Sequence, residues 1–247
     1  MRQTVLPVTL IVPTYNEGDS IADFLEQWTK SPIRPKRLLI MDDSIDDTPQ
    51  VVERFHRRHS WIECHRGAVR RGLSGSVIEG VRLAQTDWIS VMDSDGQHPI
   101  SAWCVGAQQC RDGVDLILMN RTTRWARIVN MSWSRSLVSQ TTRWLAKILL
   151  PSARQTHDPL SGFFFCRTAI WPLSGSSAGW KILLDVLVKA QWQSAVEVNY
   201  EFQPRTAGVS KASLKVGQQY LLEVFRLFVW QHKHHRQPWP KSVRRIS

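Results

Sequence analysis

The chain has 247 residues and 43% of them are hydrophobic, which is enough apolar material for one sizeable core. A single large α/β domain therefore fits better than two small ones. The net charge of +11 predicts an anionic partner, and nucleic acid, an anionic membrane surface and phosphorylated small molecules all qualify. The 4 cysteines contain no C-x-x-C pair, so we expect reduced thiols in a cytosolic protein and no zinc site.

Strand-like and helix-like patterns alternate through the first half of the chain. The strand-like runs are apolar throughout, as expected where helices cover both faces of a sheet. Amphipathic stretches lie between these runs, and such alternation is typical of βαβ units with a mostly parallel sheet. We predict strands at residues 8–12, 37–41, around 62, 88–92 and 115–119.

The second half of the chain has longer helical patterns. Residues 162–166 and 196–202 predict strands that flank a helix at residues 180–190. The stretches at 128–150 and 214–230 predict amphipathic helices, whose apolar faces suit either the sheet or a membrane surface. No segment is long and apolar enough to cross a bilayer. The basic tail that follows contains prolines and no periodicity, so we expect it to be poorly ordered unless a surface or partner holds it.

Polar residues collect directly after three of the predicted strands. The first strand runs into PTYNE, the second into DDSIDD and the strand at 88–92 into DSDGQH. Open α/β sheets bind their ligands in the crevice outside the carboxyl ends of the strands. We therefore expect these three segments to form one site.

The segment DSDGQH carries the pattern that is most informative about chemistry. Asp93 and Asp95 are separated by one residue, and Gln97 adds a neutral oxygen close by. Mg²⁺ and Mn²⁺ favour such oxygen ligands and keep positions open for water and substrate phosphates. We predict that these three residues hold Mg²⁺ or Mn²⁺; the alternative is that the segment is only a polar turn after a strand.

Several segments resemble the glycosyltransferases of family 2. VPTYNE, MDDSIDDT, GLSGSVIEGVRLA and VMDSDGQHP are similar to the nucleotide-sugar half of the GT-A members of that family. DPLSGFFFCR, GWKILLDVLVKA and RTAGVSK, in that order, resemble dolichol- or polyprenol-phosphate mannose synthases. The resemblance covers roughly residues 6–225. The segment DDSIDDT departs from the family's D-D-x-S-x-D-x-T pattern by being one residue shorter, which leaves the nucleotide base and the sugar open.

The resemblance implies a fold and a domain organisation. The implied fold is an α/β, GT-A Rossmann-like fold, with a mostly parallel central sheet flanked by helices and with peripheral amphipathic helices. We expect a GT-A catalytic domain at residues 1–212, followed by a C-terminal amphipathic helix and basic tail at residues 213–247.

The resemblance also implies a role for each matching residue. The residues expected to bind the nucleotide sugar are Pro13, Tyr15, Glu17, Asp43, Asp93, Ser94, Arg121, Arg205 and Lys211. Those expected to bind the acceptor phosphate are Arg205, Ser210 and Lys211, and those expected in catalysis are Asp95, Arg205 and Asp185. Tyr15 offers a flat face for stacking, and Arg205 can hold a phosphate through two parallel hydrogen bonds.

Many members of the family keep a catalytic carboxylate at the position of Asp185. For a hydroxyl acceptor this carboxylate would be the general base, whereas a phosphate monoester is already anionic at neutral pH and needs no deprotonation. With a lipid phosphate as acceptor, we therefore expect Asp185 to organise the site. The alternative is a structural ion pair with Lys181 or Lys189 on the same helix.

The implied activity is an inverting, metal-dependent transfer of a hexosyl group, mannose from GDP-mannose, to a polyprenyl or dolichyl monophosphate. The expected partners are the nucleotide-sugar donor, a lipid-phosphate acceptor at a membrane surface and a membrane-anchoring protein, with the enzyme peripherally bound at the cytoplasmic face. Two alternatives stay open: a family 2 transferase that uses a UDP-sugar or a soluble hydroxyl acceptor, and a non-catalytic anion- or nucleic-acid-binding protein. The acidic segments at the expected cleft oppose a polyanion, so we expect no nucleic acid as partner.

Overall fold

The computed structural model of the chain describes residues 3–122, 144–172, 181–203, 214–234 and 242–246. The strands are β1 (Thr4–Thr14), β2 (Ile33–Asp42), β3 (Ile62–Arg66), β4 (Trp88–Val91), β5 (Leu116–Thr122), β6 (Phe164–Arg167), β7 (Ser194–Glu201) and β8 (Ser242–Ile246). The helices are α1 (Gly18–Lys30), α2 (Thr48–His56), α3 (Gly72–Leu83), α4 (Ile100–Ala107), α5 (Ile182–Lys189) and α6 (Leu214–Lys233). Residues 144–149 are also helical.

The strands form a single sheet in the order β3-β2-β1-β4-β6-β5-β7-β8. Each neighbouring pair is parallel except the two pairs that involve β6, which runs against both β4 and β5. The predicted α/β class and the mostly parallel sheet are therefore confirmed. The strand order reverses at β1, which has β2 on one side and β4 on the other, and open sheets bind ligands at such a point.

Helices cover both faces of the sheet. One face packs against α1, α2 and α4, and the other packs against α3 and α5. α5 is buried on all sides because residues 144–150 and α6 lie over its outer surface. Its Leu183 and Val186 contact the sheet, while Leu184 and Val188 contact this outer layer.

α6 lies where the sequence predicts a long amphipathic helix. Its Val224 and Leu227 are buried against α5 and its neighbours, whereas Leu221, Leu222 and Phe225 are exposed to solvent. The helix thus covers the protein core with one face and leaves other apolar side chains uncovered. Most of the helix predicted at 128–150 lies outside the described residues. In the part of the chain that the structure describes, no helix combines the length and the apolar character needed to span a membrane.

The last described segment of the C-terminal tail is ordered, although poor order is expected from the sequence. Residues Ser242–Ile246 form β8, which pairs in parallel with β7 at the edge of the sheet. Val243 and Ile246 pack partly against the two sides of the core. A run of only five residues is too short to show periodicity, and the open edge of β7 supplies the hydrogen bonds that order it. The predicted domain boundary after residue 212 stays a prediction.

Gly106 allows α4 to lie close to the sheet, and we predict that Gly106→Ala destabilises the protein. A Cβ atom at this position would lie 2.4 Å from Cε2 of Phe165 and 2.9 Å from Sδ of Met119. Displacing such buried neighbours costs about 1–3 kcal/mol, which should lower the midpoint of urea unfolding. The control Ser101→Ala changes an exposed position of the same helix and should leave the midpoint nearly unchanged. Equal urea midpoints for the two variants would show that the neighbouring side chains can move aside without lowering the free energy of unfolding.

Candidate active site

The loops that follow β1, β2, β4 and β7 meet at one edge of the sheet. The backbone N–H of Asp43, after β2, donates to the carbonyl of Thr14 at the end of β1, with 3.1 Å between nitrogen and oxygen. The backbone N–H of Gln203, after β7, donates to the carbonyl of Gln97, after β4, at 3.0 Å. The polar segments that the sequence analysis identifies thus share the carboxyl edge of the parallel strands.

Asp42 and Asp46 hold the short turn after β2 together. Oδ1 of Asp42, which is buried, accepts a hydrogen bond from the hydroxyl of Thr14 at 2.8 Å. Asp46 accepts from the backbone N–H of Gly18 at 3.1 Å and from the hydroxyl of Thr48 at 2.5 Å. Burial raises the pKa of Asp46, but the hydrogen bonds from Thr48 and Gly18 outweigh it and lower the pKa. These carboxylates are therefore occupied by protein donors.

Asp43, expected near the base or ribose, is also bound by protein donors. Its Oδ2 accepts the backbone N–H groups of Arg71 at 2.9 Å and Gly72 at 2.7 Å, and its Oδ1 lies 3.1 Å from Nε of Arg71. Because Gly72 begins α3, the carboxylate caps the positive end of that helix. Its side chain is only 4% exposed. Asp43 thus fixes the start of α3, and its contact with the nucleotide sugar stays a prediction.

Tyr15 forms a platform that carries an arginine. The ring is half-buried, and the guanidinium carbon of Arg70 lies 3.8 Å from its centroid. Pro13 is the penultimate residue of β1, and the backbone N–H of Glu17 donates to the Thr48 hydroxyl at 3.0 Å. The three residues expected to contact the nucleoside therefore lie together, on the side of the cleft where β1 ends.

Asp93 and Asp95 follow β4 and differ in exposure. The Asp93 side chain is 46% exposed, whereas Asp95 is 9% exposed and accepts a hydrogen bond from the Gln97 backbone at 3.1 Å. Ser94 between them is buried. Among the described residues, no three His, Cys, Asp or Glu side chains are grouped so as to hold a metal ion. Mg²⁺ commonly uses one or two protein carboxylates together with waters and substrate phosphates, so this smaller donor set still fits the cation.

His98 lies behind Asp93 in a box of aromatic rings. Its Nδ1 lies 2.7 Å from the Tyr200 hydroxyl, and its ring centroid lies 5.2 Å from that of Phe163 and 5.4 Å from that of Phe202. Its Nε2 lies 3.7 Å from Oδ2 of Asp93. Burial raises the pKa of Asp93, but His98 and the positive charges beyond it outweigh this and lower the pKa. Asp93 is therefore an anion at neutral pH, as a cation ligand must be, and the lowered pKa extends this charge state to more acidic pH.

A cationic pair lies across the cleft from Asp93. Arg121 at the end of β5 donates to both oxygens of buried Asp158, from Nε at 2.5 Å and from Nη2 at 3.0 Å. Burial lowers the pKa of Arg121, but the bonds to Asp158 outweigh it and raise the pKa. Lys181 donates to the carbonyl of Leu160 at 3.3 Å, and burial together with the Arg121 charge lowers its pKa. Carboxylates and cations are thus within electrostatic reach of each other.

Glu197 on β7 anchors the loop that carries Asp158. The carboxylate is buried and accepts from the Thr156 hydroxyl at 2.8 Å and the His157 backbone N–H at 2.7 Å, while Nδ1 of His157 lies 2.5 Å from it. Nε of Arg245 on β8 lies 3.4 Å away. Burial raises the pKa of Glu197, but the hydrogen bonds outweigh it and lower the pKa. The carboxylate therefore joins β7, β8 and this loop.

Asp185 lies in the buried helix α5. Its Oδ1 is 2.5 Å from Nζ of Lys189 on the same helix, which corresponds to the alternative of a structural ion pair. Arg205, Ser210 and Lys211, expected to bind phosphate, lie outside the described residues. Their predicted roles stay predictions.

The sequence patterns did not predict six residues that lie at the site: His98, Asp158, Lys181, Glu197, Arg70 and Arg71. Asp158 and Lys181 lie inside segments quoted for the family resemblance, so their position was a usable signal. His98 and Glu197 contact partners 102 and 40 residues away in sequence, and no local pattern reveals such contacts.

Comparisons with known proteins identify the family of this chain. The sequence profile described as Glycosyl transferase family 2 matches residues 9–170. A dolichol-phosphate mannosyltransferase of Pyrococcus furiosus is 29% identical over 229 residues, which cover 92% of this chain and 65% of that protein. The chain therefore spans just under two thirds of that relative. The dolichol-phosphate mannosyltransferase of Saccharomyces cerevisiae is 28% identical over 241 residues, covering 90% of this chain and 87% of that protein.

Two solved structures share the fold. Mannosyl-3-phosphoglycerate synthase from Rubrobacter xylanophilus superposes with a TM-score of 0.68 at 18% identity, covering 94% of this chain and 76% of the other. Glucosyl-3-phosphoglycerate synthase from Mycobacterium tuberculosis, solved with Mn²⁺, UDP-glucose and phosphoglyceric acid, gives 0.66 at 19% identity, covering 96% and 88%. These likenesses confirm the GT-A fold.

We predict that Glu197→Gln lowers stability in a pH-dependent way. A neutral amide leaves some of the buried donors unmatched, which should cost about 1.5–3 kcal/mol at pH 7. Because the folded state lowers the pKa of Glu197, its contribution is present above the ordinary value of 4.5 and is lost as the pH falls below it. The difference from the unaltered protein in urea unfolding should therefore stay constant from pH 7 to about pH 5 and shrink as the pH falls below 4.5. The control Glu201→Gln, exposed on the same strand, should show no such trend.

Proposed function

This chain belongs to glycosyl transferase family 2 and is a glycosyltransferase, and we propose that it transfers mannose from GDP-mannose to a polyprenyl or dolichyl monophosphate. The observation that carries the proposal is the pairing of opposite charges in one cleft. Half-exposed Asp93 and its neighbour Asp95 provide ligands for a divalent cation, while Arg121 and Lys181 provide positive charge for phosphates. Relatives named dolichol-phosphate mannosyltransferase cover about 90% of the chain, which supports the choice of donor and acceptor.

Asp93 and Asp95, with Gln97 beside them, would hold Mg²⁺ or Mn²⁺. Such a cation, when bound, neutralises the diphosphate that leaves with the nucleoside. His98, Lys181 and Arg121 lower the pKa of Asp93, and Gly162 leaves room for its carboxylate, since a Cβ there would lie 3.1 Å from Oδ2 of Asp93. Ser94 is buried between the aspartates and would contact the donor only through its backbone.

The acceptor phosphate needs no general base in this reaction. One of its anionic oxygens attacks the anomeric carbon, the bond to the diphosphate breaks, and the nucleoside diphosphate leaves with the bonding electrons. A single displacement of this kind inverts the anomeric carbon. The pairing of Asp185 with Lys189 is consistent with a chemistry in which that carboxylate takes no proton.

Positive charge on the far side of the cleft would orient the two phosphate-bearing substrates. Arg121 is held in place by Asp158, so its remaining guanidinium edge is fixed in direction. Lys181 adds a compact charge beside it. We propose that Arg205, Ser210 and Lys211 complete this anion site, with Arg205 and Lys211 also reaching the donor diphosphate.

A second candidate is a transferase for a UDP-sugar or a soluble acceptor. It is favoured by the fold shared with an enzyme solved with UDP-glucose and phosphoglyceric acid. That acceptor also bears a phosphate, so a cationic site beside the metal ligands suits it equally well. The lipid acceptor is preferred because the relatives named for dolichol phosphate are the more similar in sequence.

We further propose that the enzyme works while bound peripherally to the cytoplasmic face of a membrane, alone or through an anchoring protein. Apolar side chains are exposed on the outer helical layer: Trp144, Ile148, Leu221, Leu222 and Phe225, which we call the outer apolar patch. Arg226 is exposed beside them on α6. Apolar and basic side chains on one layer of helices suit the interface of an anionic bilayer.

The proposed reaction is tested by sugar transfer from radiolabelled GDP-mannose or UDP-glucose to polyprenyl phosphate in detergent, with Mg²⁺ or Mn²⁺. We expect a lipid-soluble product from GDP-mannose that requires the metal. A parallel reaction with 3-phosphoglycerate as acceptor examines the second candidate. If product forms only in that parallel reaction, the acceptor is a soluble phosphate and not the lipid phosphate.

For the metal ligands, we predict that Asp95→Ala reduces turnover by roughly 100-fold or more, because a lost ligand removes several kcal/mol of charge stabilisation. Binding of Mn²⁺ in the presence of GDP, measured by electron paramagnetic resonance, should weaken in parallel. The matched control is Asp87→Ala, an exposed aspartate just before the opposite end of β4, which should change neither quantity. Near-normal transfer by the Asp95 variant would refute the assignment.

For the membrane surface, we predict that Leu222→Ser combined with Phe225→Ser weakens binding to phosphatidylcholine–phosphatidylglycerol vesicles about 30-fold, since each of the two buried apolar side chains contributes on the order of 1 kcal/mol. Co-sedimentation measures the effect, and circular dichroism checks the fold. Val105→Ser removes an exposed apolar side chain from α4, on the opposite face of the sheet, and should have no effect. If the double variant binds vesicles as well as the unaltered protein does, the outer apolar patch is not the membrane-binding surface.

A further inference from the structure

We propose that Arg70 reads the base of the donor nucleotide and selects guanine over uracil. The inference rests on the proposed function, since it takes the space above Tyr15 to hold the nucleoside. It adds a specificity residue in the segment between β3 and α3.

The geometry places a guanidinium where a base would stack. The guanidinium carbon of Arg70 lies 3.8 Å from the centroid of the Tyr15 ring, which is the separation of stacked planar groups. Arg70 is exposed, and the structure gives it no hydrogen bond or ion pair with another described residue. A planar base can therefore take its place on Tyr15, and the arginine then remains beside the edge of that base.

The carboxylates near Tyr15 are already bound to protein donors. Both oxygens of Asp43 are held by Arg71 and by the start of α3. Asp42 is buried, with its Oδ1 bonded to the hydroxyls of Thr14 and Ser44. Arg70, in contrast, has an exposed guanidinium with no hydrogen bond or ion pair to the residues that the structure describes, and it can only donate.

A donor-only fork distinguishes the two bases. Guanine presents O6 and N7 as adjacent acceptors, which an arginine can bind with two parallel hydrogen bonds. Uracil presents O4 next to the N3–H donor, so one arm of the fork meets a donor and makes no bond. Loss of one such contact corresponds to discrimination of about tenfold at an exposed site.

The test is isothermal titration of the full-length protein with GDP, UDP and 7-deaza-GDP in the presence of Mg²⁺. We expect GDP to bind about tenfold more tightly than UDP. The analogue 7-deaza-GDP lacks N7 and should lose most of that advantage. Arg70→Ala should bind GDP and UDP with nearly equal affinity, and Arg70→Lys, which keeps the charge without the fork, should also lose the preference. Arg58→Ala removes an exposed arginine beyond the far end of α2 and should keep it.

Other outcomes overturn the inference in distinguishable ways. An equal loss of GDP and UDP affinity in Arg70→Ala would mean that Arg70 contributes charge and not base recognition. A gain for both nucleotides would mean that Arg70 only covers Tyr15. A protein that prefers UDP, or that treats GDP and 7-deaza-GDP alike, would refute guanine reading while leaving sugar transfer intact. If the unaltered protein binds no nucleotide, the proposed function fails together with the inference.

Discussion

Two hydrogen bonds join the carboxylate of Asp158 to the guanidinium of Arg121, and both groups are largely withdrawn from water. Breaking such a buried pair by removing one partner costs about 3–5 kcal/mol, so the loop of Asp158 has little freedom to move away from the end of β5. That same loop offers the Leu160 carbonyl to Lys181 and lays Gly162 against Asp93. The ion pair thus determines where the second half of the chain meets Asp93 and the segment that follows β4 in the first half.

Charge balance explains why acidic and basic side chains lie close together at this edge of the sheet. The chain has a net charge of +11, yet several aspartates lie together at the carboxyl edge of its sheet. The positive charges of Arg121 and Lys181 partly balance the negative charges of these carboxylates. Asp93 and Asp158 in turn reduce the repulsion between the two cations. In the proposed reaction, the divalent cation would balance the diphosphate of the donor, and Arg121 and Lys181 would balance the acceptor phosphate. The cleft is therefore suited to substrates that arrive together with a cation.

The sequence predicts the parallel half of the sheet well, because β1, β2 and β4 are uninterrupted apolar runs followed by polar segments. It could not give the direction of β6, since a strand's own residues do not record which neighbours it pairs with. β8 escaped prediction because its hydrogen bonds come from the edge of β7. Within the site, the family resemblance supplied most expected residues, but contacts between distant segments, such as His98 with Tyr200, depend on the tertiary fold.

The carboxylates also show why residue type alone does not define a binding site. Asp42, Asp43 and Asp46 form the most acidic stretch of the chain. Both oxygens of Asp43 and of Asp46 accept hydrogen bonds from the protein, whereas Asp42 accepts through Oδ1 and its buried Oδ2 lies 3.6 Å from Nε of Arg66. Asp93 contacts His98 and yet keeps 46% of its side chain exposed. A shortened turn after β2 brings its acceptors close enough to bind its own backbone and the start of α3. Because most of those acceptors are satisfied internally, the proposed nucleoside site would bind its ligand with donors, while the proposed metal site would bind the cation with acceptors.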